Sequence, residues 1–74
     1  MNFTQLKYFM AVAENLNFTA TAKTLFITQQ ALSAHIAQLE AELDTVLLER
    51  TRPLRLTEAG NKLYAHGKQI LFLE

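Results

Sequence analysis

Cysteine is absent from this chain of 74 residues, and glycine, proline and histidine are scarce, with 2, 1 and 2 copies. Without thiols there is no disulfide scaffold and no thiolate metal site. His35 and His66 are too few for a zinc site unless suitably spaced carboxylates join them, and none stands out. Little glycine and proline, with a hydrophobic share of 50%, argue against a disordered or low-complexity segment. No glycine-rich loop is available to cradle a phosphate. Asp44 is the lone aspartate, and Ser33 and the histidines form no nucleophile, base and orienter arrangement. No catalytic residue, cofactor or metal is therefore expected. Long apolar runs and a basic-then-hydrophobic leader are missing too, so a cytoplasmic protein with no membrane partner is the default.

A chain of this length is one domain, and such a domain buries only roughly 60% of the surface its unfolded chain exposes. Added buried area from a partner would therefore stabilise it. Seven Lys/Arg balance seven Asp/Glu, whereas nucleic-acid binders are usually clearly basic. Placement tells more than the sum. No acidic residue occurs from Asn15 to Leu39, where Lys23 is the only formal charge, while Arg50, Arg52 and Arg55 crowd together and Glu40, Glu42 and Asp44 form an acidic cluster.

The order of elements follows from caps and periodicity. Asn2 with Gln5 makes a capping box for a first helix over about residues 3–14, in which Leu6, Phe9, Met10 and Ala13 recur at helical spacing. After a break at Asn15, Leu16 and Asn17, Thr19 is expected to start a short helix over about 19–25, with Ala22, Leu25 and Phe26 facing inward. A tight turn follows, and Thr28 caps a third helix reaching about Leu43. Leu32, Ile36, Leu39 and Leu43 give that helix one narrow apolar stripe, opposite which lie Gln30, Ala34, Ala37, Gln38 and Ala41. Val46 to Leu48 and Leu54 to Leu56 read as two short strands about a turn at Arg52-Pro53. Thr57 followed by Glu58 opens a last helix carrying Leu63, Ile70 and Leu71.

The expected fold is mainly α, a winged helix-turn-helix: a three-helix core, a two-stranded β wing over 47–56 and a long C-terminal linker helix. In such folds the second motif helix, here about 28–43, lies in the major groove of double-stranded DNA. The segments "LKYFMAVAE", "NFTATAKTLFITQQALSAHIAQLE", "LLER" and "LRLTEAG" then resemble, in order and close to the usual spacing, the N-terminal domain of LysR-type transcriptional regulators. They cover nearly the whole chain, and the ALS..I..LE helix combined with LTEAG after a wing is a specific signature. The resemblance implies a bacterial regulator that forms a homodimer through the last helix. It also implies a small-molecule effector, bound only through a further domain not present here. Residues 1–57 would be the DNA-binding domain and 58–74 the start of the dimerising helix. Leu63, Ile70, Leu71 and Leu73 are the expected dimer contacts.

The chain departs from the family pattern in several places. Arginine is common where Ala20 stands, arginine or another long polar residue at Ala34 and often at Ala37, phenylalanine at Leu48, and proline or serine at Gln30. Charge is thus missing from the third helix where relatives often have arginine. Gln29 and Gln30, in its first turn, are the expected base readers, since a glutamine amide pairs bidentately with adenine N6 and N7. Gln30, directly opposite the buried stripe, is the stronger of the two. Ser33, Ala34 and Gln38 complete the face, while Thr19 and Thr28 stand where helix starts attract phosphate. Arg52, beside the turn, should reach farthest toward a phosphate or a narrow minor groove, with Arg55 next; Arg50, nearer the strand base, is the candidate for an internal salt bridge. Phe9, Phe18 and Phe26 read as core. The alternative function is a winged-helix protein-interaction or dimerisation module with weak or no DNA binding, which the neutral charge would suit.

Overall fold

The computed structural model describes the backbone of residues 1–71 and the side chains of residues 1–70. Its elements are α1 (Phe3–Asn15), α2 (Phe18–Leu25), α3 (Gln29–Leu43), β1 (Leu48–Glu49), β2 (Arg55–Leu56) and α4 (Glu58–Leu71). The two strands form one antiparallel ribbon, with Leu48 opposite Leu56 and Glu49 opposite Arg55. This is the winged helix-turn-helix order. The strands are shorter than expected, since Val46 and Leu54 lie outside them and Val46 is exposed.

Caps explain most of the boundaries. The Asn2 side chain accepts from Gln5 N at 2.7 Å while Gln5 Oε1 accepts from Asn2 N at 3.2 Å, the reciprocal box that satisfies two otherwise unpaired donors. Thr28 Oγ1 accepts from Ala31 N at 3.0 Å, as the sequence implies. At α2 the cap is Asn17 and not Thr19: Asn17 Oδ1 accepts from Ala20 N at 2.9 Å, which starts the helix at Phe18. Asparagine is among the best cap residues, and its use leaves the Thr19 hydroxyl free for another partner.

Scarce glycine shows at the other helix ends. Leu16, Phe26 and Asp44 occupy the left-handed region with φ of 51°, 59° and 52°. Phe26 N to Lys23 O and Ile27 N to Ala22 O close α2, and Asp44 N to Ala41 O and Thr45 N to Glu40 O close α3 in the same way. The geometry turns Phe26 outward. Its ring is 93% exposed, so the expectation of an inward-facing Phe26 in the core is overturned, and half-buried Ile27 packs against the core instead.

Among the described residues, eleven hydrophobic side chains make the core. Phe9 and Val12 of α1 and Leu32, Ile36 and Leu39 of α3 are fully buried, with Leu47 and Leu48 sealing the side toward the wing. Burying such a side chain stabilises by about 1.5 to 3 kcal/mol. Leu43, expected on the same stripe as Leu32, is instead exposed in the last turn of α3, next to Asp44, where the chain leaves the helix through the left-handed region. Phe18 is half-buried.

Helix α4 is clamped at its start. Thr57 Oγ1 accepts from Gly60 N at 3.0 Å, donates to Val46 O at 2.7 Å, and Thr57 N reaches Leu47 O at 3.0 Å. Gly60 lies so close to the Leu47 carbonyl oxygen that a methyl group there would collide with backbone, whereas one at Gly67 would meet only the Met10 thioether, a movable side chain. Gly60→Ala should therefore destabilise by about 1 to 3 kcal/mol despite alanine's better helix propensity, lowering Tm by roughly 4 °C or more. Gly67→Ala should cost less. Thermal melting by circular dichroism compares the two, and equal melting points would contradict the close approach at Leu47.

Candidate nucleic-acid interface

The face of α3 turned away from the core carries no charge. Gln29, Gln30, Ala34, Ala37, Gln38 and Ala41 are exposed along it, with Thr28 at its head. Ser33 and His35 flank it half-buried. His35 packs edge-on to Tyr8 of α1, ring centroids 5.0 Å apart at 79°, which ties it to the helical body. Alanine at 34, 37 and 41 keeps this face low, so a surface laid against it meets the helix backbone closely.

Two of the expected site residues are joined by a hydrogen bond. Thr19 Oγ1 on α2 donates to Gln29 Oε1 at the start of α3, at 2.9 Å. The Gln29 amide is thereby tethered, while among the described residues the Gln30 side chain has no hydrogen bond.

The three arginines fare differently. Arg50 is engaged on three sides: Nη1 donates to Ser33 Oγ at 3.3 Å, Nη2 lies 3.8 Å from Glu40 Oε1, and the guanidinium sits 4.7 Å from the centre of the Phe18 ring. The internal salt bridge read for Arg50 from the sequence is present, with Glu40 as partner. Glu40 Oε2 meanwhile accepts from Leu47 N at 2.7 Å and Leu48 N at 3.2 Å, so one carboxylate fixes the start of β1 and anchors Arg50. Arg55 pairs across the ribbon with Glu49 at 3.0 Å, both largely exposed. Arg52 is exposed at the wing turn with no ion pair among the described residues.

These groups converge on one groove of about 500 Å³ between the starts of α2 and α3 and the wing, lined among others by Asn17, Thr19, Gln29, Arg50 and Arg52. Gln30, Ala34 and Gln38 belong to the open face of α3 rather than to this groove. A second groove of about 550 Å³ runs along α1 past Phe3, Met10 and Leu25 and shares no residue with it. Sequence reasoning missed Asn17, Phe18 and Glu40 as parts of the site. Asn17 carried a legible signal, an asparagine before a helical stretch; the partners of Phe18 and Glu40 are set only by folding. Of the expected dimer contacts, Leu63 is half-buried against the core and Ile70 is 61% exposed on α4. Leu73 and the Leu71 side chain lie outside the described residues. Among the described residues no cluster of three or more His, Cys, Asp or Glu could hold a metal ion, and no helix is long and apolar enough to cross a membrane.

Residues 3–61 match the family described as bacterial regulatory helix-turn-helix protein, lysR family. The chain belongs to the lysR family. It is 49% identical over 74 residues to the HTH-type transcriptional regulator CatR of Pseudomonas putida, covering 100% of this chain and 26% of that protein. It is 50% identical to the HTH-type transcriptional regulator BudR of Raoultella terrigena, over 99% of this chain and 26% of that one. The chain thus spans about a quarter of the length of these relatives, both transcriptional regulators. Among solved structures it resembles the BenM DBD in complex with benA site 1 DNA, with a TM-score of 0.94 and 41% identity over 97% of this chain and 82% of that one. The CbnR DBD–DNA complex gives 0.91 and 44%, over 99% of this chain and 85% of that one.

In this lysR-family domain the Glu40 carboxylate has a measurable structural task. Glu40→Ala leaves two buried backbone donors at Leu47 and Leu48 without their acceptor and should lower the unfolding free energy by about 2 kcal/mol or more. Glu40→Gln keeps an acceptor oxygen and should cost less. Urea unfolding with an unchanged m-value reads this as a lower midpoint, and an unmoved midpoint in Glu40→Ala would show that water serves those donors equally well.

Proposed function

We propose that residues 1–57 are a sequence-specific, double-stranded DNA-binding domain of a bacterial transcriptional regulator, and that the helix beginning at residue 58 pairs two copies. The observation that carries this reading is the exposed, uncharged amide-and-alanine face of α3 set beside an arginine-bearing wing. The likeness to BenM and CbnR domains solved with DNA supports it. In this reading α3 enters the major groove, Gln29 and Gln30 meet base edges, and Ser33, Ala34 and Gln38 follow the groove wall. Thr28, at the head of α3, and Thr19, beside it, lie next to the sugar-phosphate backbone, where unpaired helix-start N–H groups attract anions. Arg52 binds a phosphate or enters the minor groove. Arg50, held by Ser33, Glu40 and Phe18, shapes the wing more than it attracts DNA, and Arg55 shares its charge with Glu49.

Net charge of zero fits a domain that gains little from general attraction and depends on correct base contacts. Two copies related by a twofold axis would bind half-sites about one helical turn, or a multiple of it, apart. The exposed Ile70 on α4 supports pairing through that helix. Response to a small-molecule effector belongs to a domain outside this chain, and the working compartment is the cytoplasm, where the DNA lies.

A fluorescence titration with duplex DNA across several salt concentrations tests the function. Wild type should show log K falling linearly with log salt, and Arg52→Ala should reduce that slope by about one unit. Arg55→Ala should reduce it less, since Glu49 already neutralises part of its charge. No duplex binding even at low salt would refute the DNA reading and favour a protein-interaction module. For the pairing, sedimentation at micromolar concentration should give a dimer that dissociates on dilution, and Ile70→Lys should shift it toward monomer; a strictly monomeric wild type would refute that part.

A further inference from the structure

Thr19 and Gln29 are 10 positions apart, yet the turn between α2 and α3 brings their side chains to 2.9 Å, hydroxyl to amide oxygen. Both are exposed, so this neutral bond adds little to stability. Its effect lies in orientation. A free glutamine loses much rotamer freedom when it settles on a partner, and an amide already tethered has lost part of that freedom on folding. The Thr19 position is itself fixed, because Asn17 caps the same turn through Ala20 N and the neighbouring Phe18 ring lies under the Arg50 guanidinium.

The tether leaves the amide able to work. Gln29 Oε1 has a second lone pair and Nε2 keeps both hydrogens, so an acceptor and a donor remain side by side. That is the complement of adenine N6 and N7 in the major groove. Gln30, by contrast, has no side-chain hydrogen bond among the described residues and must be ordered wholly by its partner.

We propose that Thr19 is a positioning residue for sequence reading: its hydroxyl holds the Gln29 amide ready for a base edge, with adenine the best complement. This rests on the DNA-binding reading and adds to it that one helix of the motif sets the specificity of the other. Thr19 acts through Gln29 and needs no contact with the base.

The test uses a duplex carrying the wild type's preferred site, selected from randomised duplexes, with each base pair then changed singly. Thr19→Val keeps the shape and removes the hydroxyl. It should reduce discrimination about two- to ten-fold at the base pair where Gln29→Ala reduces it, and leave discrimination elsewhere and the salt slope unchanged. The double variant should lose no more than Gln29→Ala alone, and Thr19→Ser should restore the preference. If Thr19→Val instead weakens all sequences alike, additively with Gln29→Ala, the hydroxyl serves the phosphate backbone and the positioning role is wrong. If wild type selects no site at all, both this inference and the DNA-binding reading fall; if it selects one and Thr19→Val reads it unchanged, only this inference falls. Melting curves of each variant confirm that the exposed substitutions leave the fold intact.

Discussion

The Glu40 carboxylate ties α3 to the wing. One oxygen accepts the backbone N–H groups of Leu47 and Leu48, and the other faces Arg50, which in turn reaches Ser33 and the Phe18 ring. A carboxylate accepting from backbone donors makes bonds roughly twice as strong as neutral ones. Its position in the fourth turn of α3 makes the start of β1 follow the helix, so the wing and the exposed face of α3 keep a fixed relation. A wing of two-residue strands has too few ladder bonds to hold itself, and an isolated hairpin is marginal in water. The anchor is therefore outside the ribbon.

This arrangement divides the arginines by task. Arg50 holds elements together, Arg55 pairs with its neighbour Glu49, and Arg52 is exposed with no ion pair among the described residues. Counting three arginines in the sequence overstates the charge available to a polyanion. The same division fits the neutral total: the exposed face of α3 carries amides and alanines, and Arg52 is the wing cation without an ion pair among the described residues.

Most of the fold was legible in the sequence because its signals are local. The Asn2–Gln5 box, the Thr28 and Thr57 caps and the apolar spacing of Leu32, Ile36 and Leu39 each act within a turn or two of helix, and each appears where expected. Two of the errors fell where local signals competed. Asn17 outranked Thr19 as a cap, and Phe26 took the left-handed closing position that glycine would normally fill, which sent an apolar ring into solvent. Of the candidate site, the exposed face of α3 was readable because a buried stripe defines its own opposite side. The Thr19–Gln29 bond, the Phe18 support under Arg50 and the reach of Glu40 to Leu47 were not.

What the sequence by itself determined is the set of elements, their order and the family, since caps, periodicity and motif spacing are properties of neighbouring residues. What only the tertiary structure decided is which polar side chains are free. Thr19 and Ser33 look equally available along the chain, yet each has found a partner on another element, and the internal partner read for Arg50 proves to be Glu40, a residue on α3. Such pairings depend on how α2, α3 and the wing pack around Phe9, Ile36 and Leu48, and the packing brings together residues whose separation in sequence carries no trace of it.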